Sequence, residues 1–192
     1  MNNGKERDTS QKILNAAYKC ISAKGYANVS LRDIAEEAGV YLSQLSYYYK
    51  NKEGLFNEVV KAVRQENMQY LEKGLKQGTT TKDNLSLVVQ YSQVLIKENT
   101  DIYRVLLDFF NMAMWSQSLN KELGAFLKEI SNIIEKYIIN DCTLKENVQV
   151  YPPNAITRLI VGAVFGIAMQ YILEPENEDL LESLNIIQAM IE

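Results

Sequence analysis

One segment near the N-terminus constrains the fold more than the rest of the chain, because it combines two helix starts with a tight turn. Ser30 opens a Ser-x-x-Asp pair, whose side-chain oxygens can accept the free backbone N–H groups of a helix start. Apolar residues then recur at helical spacing until Gly39, a residue that readily adopts the left-handed backbone of a helix end. A second short helix is expected over Leu42–Tyr48, with Leu45 facing inward against the first. The pattern predicts two capped helices, followed at once by the start of a third.

The outward faces of the second helix are polar and aromatic. Asn51 is placed to cap the next helix, and Lys50 and Lys52 flank it. Exposed N–H groups, the helix dipole and lysine charge together favour the binding of phosphate. This pattern is typical of a helix-turn-helix, which places its second helix in the major groove of DNA. An ordinary helical hairpin is the alternative interpretation. The residues left on the outer faces are Leu42, Ser43, Gln44, Ser46, Tyr47 and Tyr48.

The landmarks of this region occur at the spacings of a known family. They run from Lys24-Gly25-Tyr26 through Ser30–Ala35, Ala38-Gly39-Val40 and Leu45–Tyr49 to Asn51–Phe56. In these landmarks the chain resembles the DNA-binding domain of the tetracycline-repressor (TetR) family. Helical periodicity along the chain predicts about nine helices and an all-α fold, and the resemblance implies that these helices form two parts. These are a helix-turn-helix DNA-binding domain over residues 1–52 and a helical effector-binding and dimerisation domain over residues 53–192.

The chain departs from the family pattern within the second helix. Many members have a small polar residue after Val40 and a lysine or similar residue next, where this chain has Tyr41 and Leu42. A tyrosine is frequent in the family at the position of Ser46. These departures leave the fold prediction unchanged, but the operator sequence cannot be transferred from the family.

Charge is distributed unevenly along the chain. Residues 1–64 contain 10 Lys and Arg against 7 Asp and Glu, whereas residues 65–192 contain 10 against 17, which gives a net charge of −4. A basic front and an acidic rear are typical of a protein that binds nucleic acid at one end. No secretory signal follows the charged N-terminus, and the apolar run from Leu159 to Leu173 is too short to span a membrane. Cys20 and Cys142 lack metal-ligand spacing and Cys20 is expected to be buried, so we predict a cytoplasmic location without membrane attachment.

The chain contains no histidine. The commonest general base and the commonest zinc ligand are therefore missing. No phosphate-binding glycine loop, nucleophile elbow or paired-carboxylate motif occurs in the sequence. We therefore predict no enzyme activity, no cofactor and no bound metal.

Helical periodicity continues along the rest of the chain, and no convincing strand pattern interrupts it. The first helix is expected to begin near Asp8 or Thr9, with Asp8 and Gln11 as a capping box. Lys5 and Arg7 would precede it, either as a basic arm that contacts DNA or as a disordered tail. This first helix would stop at Gly25. Beyond the two short helices, we expect helices over residues 53–77, 82–98, 101–115, 119–140, 153–173 and 178–191, with a polar loop over residues 142–151.

The helix expected over residues 153–173 is apolar nearly all round, and Gly162 and Gly166 lie four residues apart on it. Small residues allow helices to approach closely, so this face is expected either to meet a second copy or to pack in the core. A homodimer would set two recognition helices about 34–36 Å apart, the spacing of successive major-groove turns in a palindromic operator. The TetR resemblance implies that such a dimer forms through the last two helices.

The resemblance also implies a small-molecule cavity in the helical body, whose occupancy shifts the separation of the two DNA-binding heads. Aromatic and methionine side chains in this part of the chain favour a small hydrophobic effector. Asp108 is an acid within an apolar helix and requires a donor, which would be either a cationic effector or Arg104 one turn earlier. Plain core packing is the alternative for each candidate. The effector candidates are Tyr70, Tyr91, Asp108, Phe109, Met112, Trp115, Phe165 and Met169.

Side-chain chemistry assigns the expected contacts with double-stranded DNA. Gln44 and Ser43 would read base edges, and Leu42 would contact a thymine methyl. We therefore expect a dimeric, ligand-responsive transcriptional repressor. The alternatives are a helical-bundle enzyme or small-molecule carrier that keeps the head as a scaffold, and a DNA-binding regulator controlled by a protein partner. Phosphates would be held by Arg32, Tyr47, Tyr48 and Lys52.

Overall fold

The structure is a computed structural model that describes residues 2–78, 80–139 and 145–191, and within these ranges it contains helices and no strand. Nine α-helices of six residues or more make up most of the described chain, so the predicted all-α class and helix pattern are confirmed. Two further helices have four residues each. The helices are α1 (Asn2–Lys24), α2 (Leu31–Ala38), α3 (Leu42–Tyr48), α4 (Lys52–Leu75), α5 (Thr81–Glu98), α6 (Thr100–Ala113), α7 (Gln117–Ile134), α8 (Glu146–Gln149), α9 (Pro153–Leu173), α10 (Asp179–Glu182) and α11 (Ile186–Ile191).

Helix α1 begins earlier than its sequence predicts. It starts at Asn2, so the expected basic arm with Lys5 and Arg7 lies within the helix. The expected capping role of Asp8 is also wrong, because Asp8 lies inside α1 and forms an ion pair with Lys12 at 3.2 Å. Lysine, glutamate and arginine are good helix formers, and a pair of opposite charges four residues apart stabilises a helix. These local preferences extend α1 past the expected start.

The helix expected over residues 119–140 continues past α7, and part of the loop expected after it is helical as well. Residues Glu135–Ile139 continue α7 as a wider π-helical turn, in which Ile138 and Ile139 are both buried. The backbone carbonyl of Tyr137 in this turn accepts the side-chain amide of Asn84 at 3.0 Å, which ties the turn to α5. The expected polar loop over residues 142–151 contains α8, and residues 142–144 lie outside the described residues.

The chain divides into two compact units. Unit 1 comprises Met1–Gln65 and Arg104–Asn120, and unit 2 comprises Glu66–Tyr103 and Lys121–Glu192. The division therefore falls inside α4, α6 and α7. The functional boundary expected at residue 52 stays a prediction.

Unit 1 has a core of aliphatic and aromatic side chains. Cys20 on α1 is buried, as predicted, and burial raises the pKa of its thiol. Cys142 lies outside the described residues. Because α1, α2, α3, α4 and α6 all contribute buried side chains, the core fixes the two short helices in place. Its fully buried members include Ile13, Ala17, Ile34, Leu45, Leu55, Phe56 and Phe109.

Unit 2 has one hydrophobic cluster, to which α5, α9 and the π-helical turn contribute. On α9, Ile156, Ile160, Ala168 and Tyr171 face this cluster and are buried. Partly buried apolar residues pack around it, so the cluster extends well beyond its buried centre. Its buried members also include Leu71, Leu75, Leu85, Val88, Val89, Ile96, Tyr103, Ile134, Ile138, Ile139, Leu181, Leu184 and Ile187.

The opposite face of α9 is exposed to solvent. Leu159 is 60% exposed and Leu173 is 82% exposed, and a Cβ atom added at Gly162 or Gly166 would meet nothing within 4 Å. Packing of these two glycines in the core of the chain, one of the two expectations for them, is therefore wrong. We call this surface the open face of α9; its residues are Ala155, Leu159, Gly162, Gly166, Gln170 and Leu173.

The length of α9 corrects one expectation. Helix α9 has the bounds expected for it, residues 153–173, and its 21 residues are long enough to cross a membrane, so the expectation drawn from the shorter apolar run is wrong. By length and composition alone, α9 is the one helix in the described part of the chain that could cross a membrane. A core helix of a soluble protein passes the same test, so this property by itself assigns no location.

Candidate nucleic-acid interface

Helix α2 is fixed at its start by a reciprocal capping box. Ser30 Oγ accepts the backbone N–H of Asp33 at 3.2 Å, and Asp33 Oδ2 accepts the backbone N–H of Ser30 at 2.7 Å. The Ser30 hydroxyl also donates to Asp33 Oδ2 at 2.6 Å. These bonds lower the pKa of the Asp33 carboxyl, with the hydroxyl bond as the largest cause. The predicted capping pair is confirmed.

Gly39 turns the chain between α2 and α3. Its backbone has φ 65° and ψ 35°, the left-handed conformation that residues with a side chain adopt only with strain. Its N–H donates to the carbonyl of Glu36 at 3.1 Å, and the N–H of Val40 donates to the carbonyl of Ala35 at 3.0 Å. The predicted turn residue is confirmed, and it sets the direction in which α3 leaves α2.

Helix α3 turns almost all of its side chains outward. Leu45 is fully buried, whereas Tyr41 is 82% exposed, Leu42 is 40% exposed and Tyr47 is 76% exposed. The ring of Tyr47 contacts the half-buried ring of Tyr48 edge-on, at 5.2 Å between centres. The predicted division into one buried and several outer residues is confirmed. The exposed side chains are those of Tyr41, Leu42, Ser43, Gln44, Ser46 and Tyr47.

The start of α4 is capped and anchored directly after α3. Asn51 Oδ1 accepts the backbone N–H of Gly54 at 2.7 Å, which confirms the predicted cap. Leu55 and Phe56 follow and are fully buried. Lys50 is exposed before the cap, and Arg32 is exposed on α2. Cationic side chains therefore flank α3 in the sequence on both sides.

Two side-chain contacts hold α1 against the helix-turn-helix. The hydroxyls of Ser10 and Tyr49, the C-cap of α3, lie 2.9 Å apart in a hydrogen bond. Lys19 Nζ donates to Glu37 Oε1 of α2 at 2.6 Å, but such an exposed pair adds little stability. The partners are distant in the sequence, so the sequence patterns do not predict either contact. The hydroxyl pair fixes the end of α3 relative to α1.

Tyr26 lies at the centre of a second cluster in unit 1. Its ring contacts the ring of Phe56 at 4.8 Å, and the ring of Phe56 contacts that of Phe109 edge-on at 6.2 Å. Lys52 Nζ lies 4.1 Å from the centre of the Tyr26 ring, a cation–π distance. Burial lowers the pKa of Lys52, and the nearby Asp108 carboxylate opposes this effect. Lys52 is thus half-buried against a ring, and in this conformation its ammonium group does not project freely from the surface.

Asp108 has a structural partner within unit 1. Its Oδ2 accepts the backbone N–H of Tyr26 at 2.6 Å, so the donor is a peptide group and not a ligand. Gly25, with φ 77°, provides the turn that presents this N–H, and a Cβ added there would lie 3.7 Å from Asp108 Oδ2. Asp108 therefore ties α6 to the chain just after α1, and its carboxylate is satisfied without a cationic effector.

We expect Asp108→Ala to lower the free energy of unfolding by about 1–3 kcal/mol, because the N–H of Tyr26 loses its acceptor. Asp108→Asn keeps an acceptor oxygen and should recover most of the loss. Urea unfolding of the two variants and the parent measures this difference. Titration of Asp108→Asn with cationic inducers should give unchanged affinities, whereas a selective loss of affinity would restore a ligand role.

Four of the effector candidates lie in unit 2. The ring of Tyr70 stacks on that of Tyr91 at 5.2 Å, and Tyr70 is 67% exposed. The hydroxyl of Tyr91 donates to Asn67 Oδ1 at 2.8 Å, and burial raises the pKa of Tyr91 to about 12. Phe165 and Met169 on α9 pack against the hydrophobic cluster of unit 2. These four side chains thus surround or extend a single apolar cluster.

The other four candidates lie in unit 1, where they have different surroundings. Phe109 is fully buried in the core, and Asp108 is bonded to the backbone as described. Met112 is half-buried, and Trp115 is 87% exposed just after α6. A side chain as exposed as Trp115 does not line an enclosed cavity in this conformation. Sequence periodicity alone does not distinguish the buried candidates from the exposed ones.

The described residues contain no other evident site for a metal ion or a ligand. Within residues 2–78, 80–139 and 145–191, no group of three or more His, Cys, Asp or Glu side chains could hold a metal ion. A surface depression of about 450 Å³ lies over the turn after α9, and none of the effector candidates lines it. The exposed helix α3 and its flanking cations are therefore the feature that calls for a functional interpretation.

Known proteins resemble this chain in sequence. Residues 13–59 match the family of "Bacterial regulatory proteins, tetR family". The fatty acid metabolism regulator protein of Bacillus subtilis (strain 168) is 21% identical over 189 residues, which cover 97% of this chain and 95% of that protein. The matched family segment contains α2, α3 and the start of α4.

Solved structures share the fold. The transcriptional regulator FadR from Bacillus subtilis, in complex with stearoyl-CoA, is similar with a TM-score of 0.77 and 21% identity, over 95% of this chain and 97% of that one. A TetR transcription regulator from Haloarcula marismortui ATCC 43049 has a TM-score of 0.83 and 18% identity, over 97% and 100% of the two chains. At such identities the likeness establishes the fold, and the contacts with DNA and effector have to be argued from this chain's own residues.

Proposed function

Since the chain belongs to the tetR family of bacterial regulatory proteins and is a DNA-binding transcriptional regulator, we propose that it acts as a dimeric repressor. A small hydrophobic effector releases it from a palindromic operator. The observation that carries the proposal is α3, whose side chains are exposed along the whole helix apart from the buried Leu45 and the half-buried Tyr48. Such a helix, anchored by one leucine, is suited to the major groove. The protein acts in the cytoplasm, where its DNA lies.

The proposed DNA contacts follow from exposure and side-chain chemistry. Gln44 and Ser43 are exposed on α3 and can donate to or accept from base edges. Tyr47 and Tyr48 can donate their hydroxyls to phosphates, and Arg32 is exposed on α2, the helix that crosses the backbone in this motif. Lys52 joins them by turning outward from the ring of Tyr26. This movement exchanges a cation–π contact for a phosphate contact.

The open face of α9 supports a homodimer. It is apolar apart from Gln170, it lacks a Cβ at Gly162 and Gly166, and nothing in the chain lies within 4 Å of those two Cβ positions. A second copy of α9 could approach closely there, which would bury Leu159 and Leu173. Ile186 on α11 is a second large apolar side chain near the C-terminus that is exposed, at 57%. We therefore place the dimer contact on α9 and α11.

The apolar effector is proposed to bind in unit 2. Its cluster is aliphatic and aromatic, and Tyr91, Phe165 and Met169 pack around the buried centre without being fully buried. The related FadR of Bacillus subtilis was solved with stearoyl-CoA. A long-chain acyl-CoA is therefore the first effector to test, with Tyr70, Tyr91, Phe165 and Met169 as the proposed contacts.

The proposal is tested by selection from a library of random duplexes with the purified full chain. We expect enrichment of a palindrome whose half-sites are one helical turn apart. Addition of stearoyl-CoA should then release the selected duplex, whereas coenzyme A without an acyl chain, the matched control, should not. Failure to enrich any sequence over competitor DNA would refute the DNA-binding part. Enrichment without release by any acyl-CoA would refute the effector alone, and would favour a protein partner as the regulator.

Two variants distinguish a residue that contacts base edges from a residue that contacts phosphates. Gln44→Ala should lose about 1–3 kcal/mol of discrimination at one base pair of each half-site, because Gln44 contacts a base edge. Lys52→Ala should weaken binding to all duplexes by the same factor, and should lower the slope of log affinity against log salt by about 1. Binding titrations with the selected duplex, a single-base variant and random DNA measure both effects. Equal losses on all three duplexes for Gln44→Ala would contradict its assignment.

A further inference from the structure

Helix α3 and its N-cap, Tyr41, expose large hydrophobic side chains. Tyr41, Leu42 and Tyr47 together present one leucine and two tyrosine side chains to solvent, with exposures of 82%, 40% and 76%. Large exposed apolar side chains that cluster on one element commonly mark a contact surface. The polar side chains beside them, Ser43, Gln44 and Ser46, are all uncharged.

Residues 41–49 contain no lysine, arginine, aspartate or glutamate. This absence restricts which bases α3 can read. A bidentate contact from arginine or lysine is the commonest means of reading guanine, and glutamate or aspartate reads the amino group of cytosine. The nearest cations, Arg32 on α2 and Lys50 and Lys52 before and at the start of α4, lie outside α3 and are assigned to phosphates.

The groups that remain on α3 match the major-groove edge of an A·T pair. Glutamine can pair with adenine through its N6 and N7 atoms, and apolar side chains contact the 5-methyl group of thymine. Gln44 supplies the first group, while Tyr41 and Leu42 supply the second. A single A·T pair therefore offers a partner for the glutamine and for the apolar side chains of this surface.

The backbone that carries these side chains is fixed before DNA binds. The carbonyl of Tyr41 accepts the N–H of Gln44 at 2.9 Å and that of Leu45 at 3.0 Å. Leu45 is fully buried in the core of unit 1. Tyr41 and Leu42 therefore project from a closed helical turn, and little backbone ordering is needed when they meet a base.

We propose that this protein reads A·T pairs in each half-site through thymine methyl groups, with Tyr41 and Leu42 as the residues that determine this specificity. The inference rests on the proposed DNA-binding function and deepens it. Tyr41 is a specificity residue that the family pattern does not assign, because the chain departs from that pattern there. Gln44 reads the adenine of the same or a neighbouring pair.

The test replaces thymine by uracil, which removes the 5-methyl group and leaves base pairing unchanged. The probe is the palindromic duplex selected from the random library. Loss of one buried methyl contact in each half-site should weaken binding roughly fourfold per half-site, or roughly 15-fold for the palindrome, from about 0.8 kcal/mol per methyl. Uracil placed only in the flanks of the duplex is the matched control and should change nothing.

The same measurement on protein variants assigns the contact. In Tyr41→Ala and Leu42→Ala, the ratio of affinities for thymine and uracil duplexes should fall toward one, whereas Ser46→Ala, an exposed position on the same helix, should keep the parent ratio. A general loss of binding lowers the affinities for thymine and uracil duplexes alike and leaves their ratio unchanged. The comparison of the two duplexes with the parent protein alone already tests the methyl contact.

Three outcomes are distinguishable. A ratio of one for the parent protein, or selected half-sites that α3 contacts only at G·C pairs, would overturn the inference while leaving the proposed function intact. Absence of any selected site would overturn the proposed function itself. A parent ratio that both alanine variants retain would overturn the assignment to Tyr41 and Leu42.

Discussion

A Gly166→Arg chain is expected to fold as the parent does and to lose about 10²–10⁴-fold of its affinity for a palindromic duplex, because the two half-sites are then bound by separate monomers. Nothing lies within 4 Å of a Cβ at this position, and Gly166 is exposed, so the side chain of the variant can start into solvent. Replacement of glycine inside a helix even favours folding of the monomer. In the proposed dimer, by contrast, two guanidinium groups would face each other across a closely packed surface.

The matched control for this variant is Gly124→Arg. Gly124 lies on α7, is exposed, and also has open space around its Cβ position. Sedimentation should report a dimer for the parent and for Gly124→Arg and a monomer for Gly166→Arg, and a binding titration should show the loss of affinity for Gly166→Arg alone. A dimer that persists in Gly166→Arg would remove the open face of α9 from the proposed interface.

Leu45→Ala is expected to have the second large effect, a loss of about 2–5 kcal/mol in the free energy of unfolding of unit 1. Leu45 is fully buried, and it is the one side chain of α3 that enters the core. Without it, α3 loses its anchor, so binding to operator and random DNA should fall together. The expected loss is a large part of the stability of a typical domain, which is about 5–15 kcal/mol.

Leu42→Ala removes the same atoms from the same helix at an exposed position. We expect it to change the free energy of unfolding by less than about 1 kcal/mol, since surface substitutions seldom do more. Urea unfolding of both variants measures the contrast directly. Similar losses for Leu45→Ala and Leu42→Ala would show that α3 is not held by a single buried leucine, and the description of the site would need revision.

The helix-turn-helix could be predicted from the sequence in detail because its determinants are local. The capping box joins Ser30 and Asp33, which are three positions apart, and the left-handed turn at Gly39 is set by one residue. The expected second helix, residues 42–48, coincides with α3. Interactions of this kind depend on neighbours within one turn, which the order of residues specifies.

Contacts between distant parts of the chain could not be predicted in this way. The sequence predicts a partner for Asp108 within its own helix or in a ligand, whereas the donor is the backbone N–H of Tyr26, 82 residues earlier. The hydroxyl pair of Ser10 and Tyr49 joins residues 39 apart. Neither a backbone N–H nor a serine hydroxyl leaves a signature in hydrophobic periodicity, so such contacts emerge only from the packed structure.

The surroundings of the effector candidates could not be predicted from the sequence for the same reason. Composition identified apolar and aromatic residues correctly but could not separate a core side chain such as Phe109 from an exposed one such as Trp115. Burial depends on which helices surround a residue, and this information lies outside its own helix. The candidates in unit 2 that pack around one cluster are therefore the stronger ones to test.

Because Cys20 is buried, the labelling of its thiol can report local opening of the DNA-binding part of the chain. Cys20 is 8% exposed in the core of unit 1, and burial raises the pKa of its thiol, which disfavours the reactive thiolate. An alkylating reagent can therefore modify Cys20 only while α1 has separated from its neighbours. The rate of labelling at this residue, followed by mass spectrometry of the peptide that contains it, records how often the head opens locally and whether bound DNA suppresses those openings.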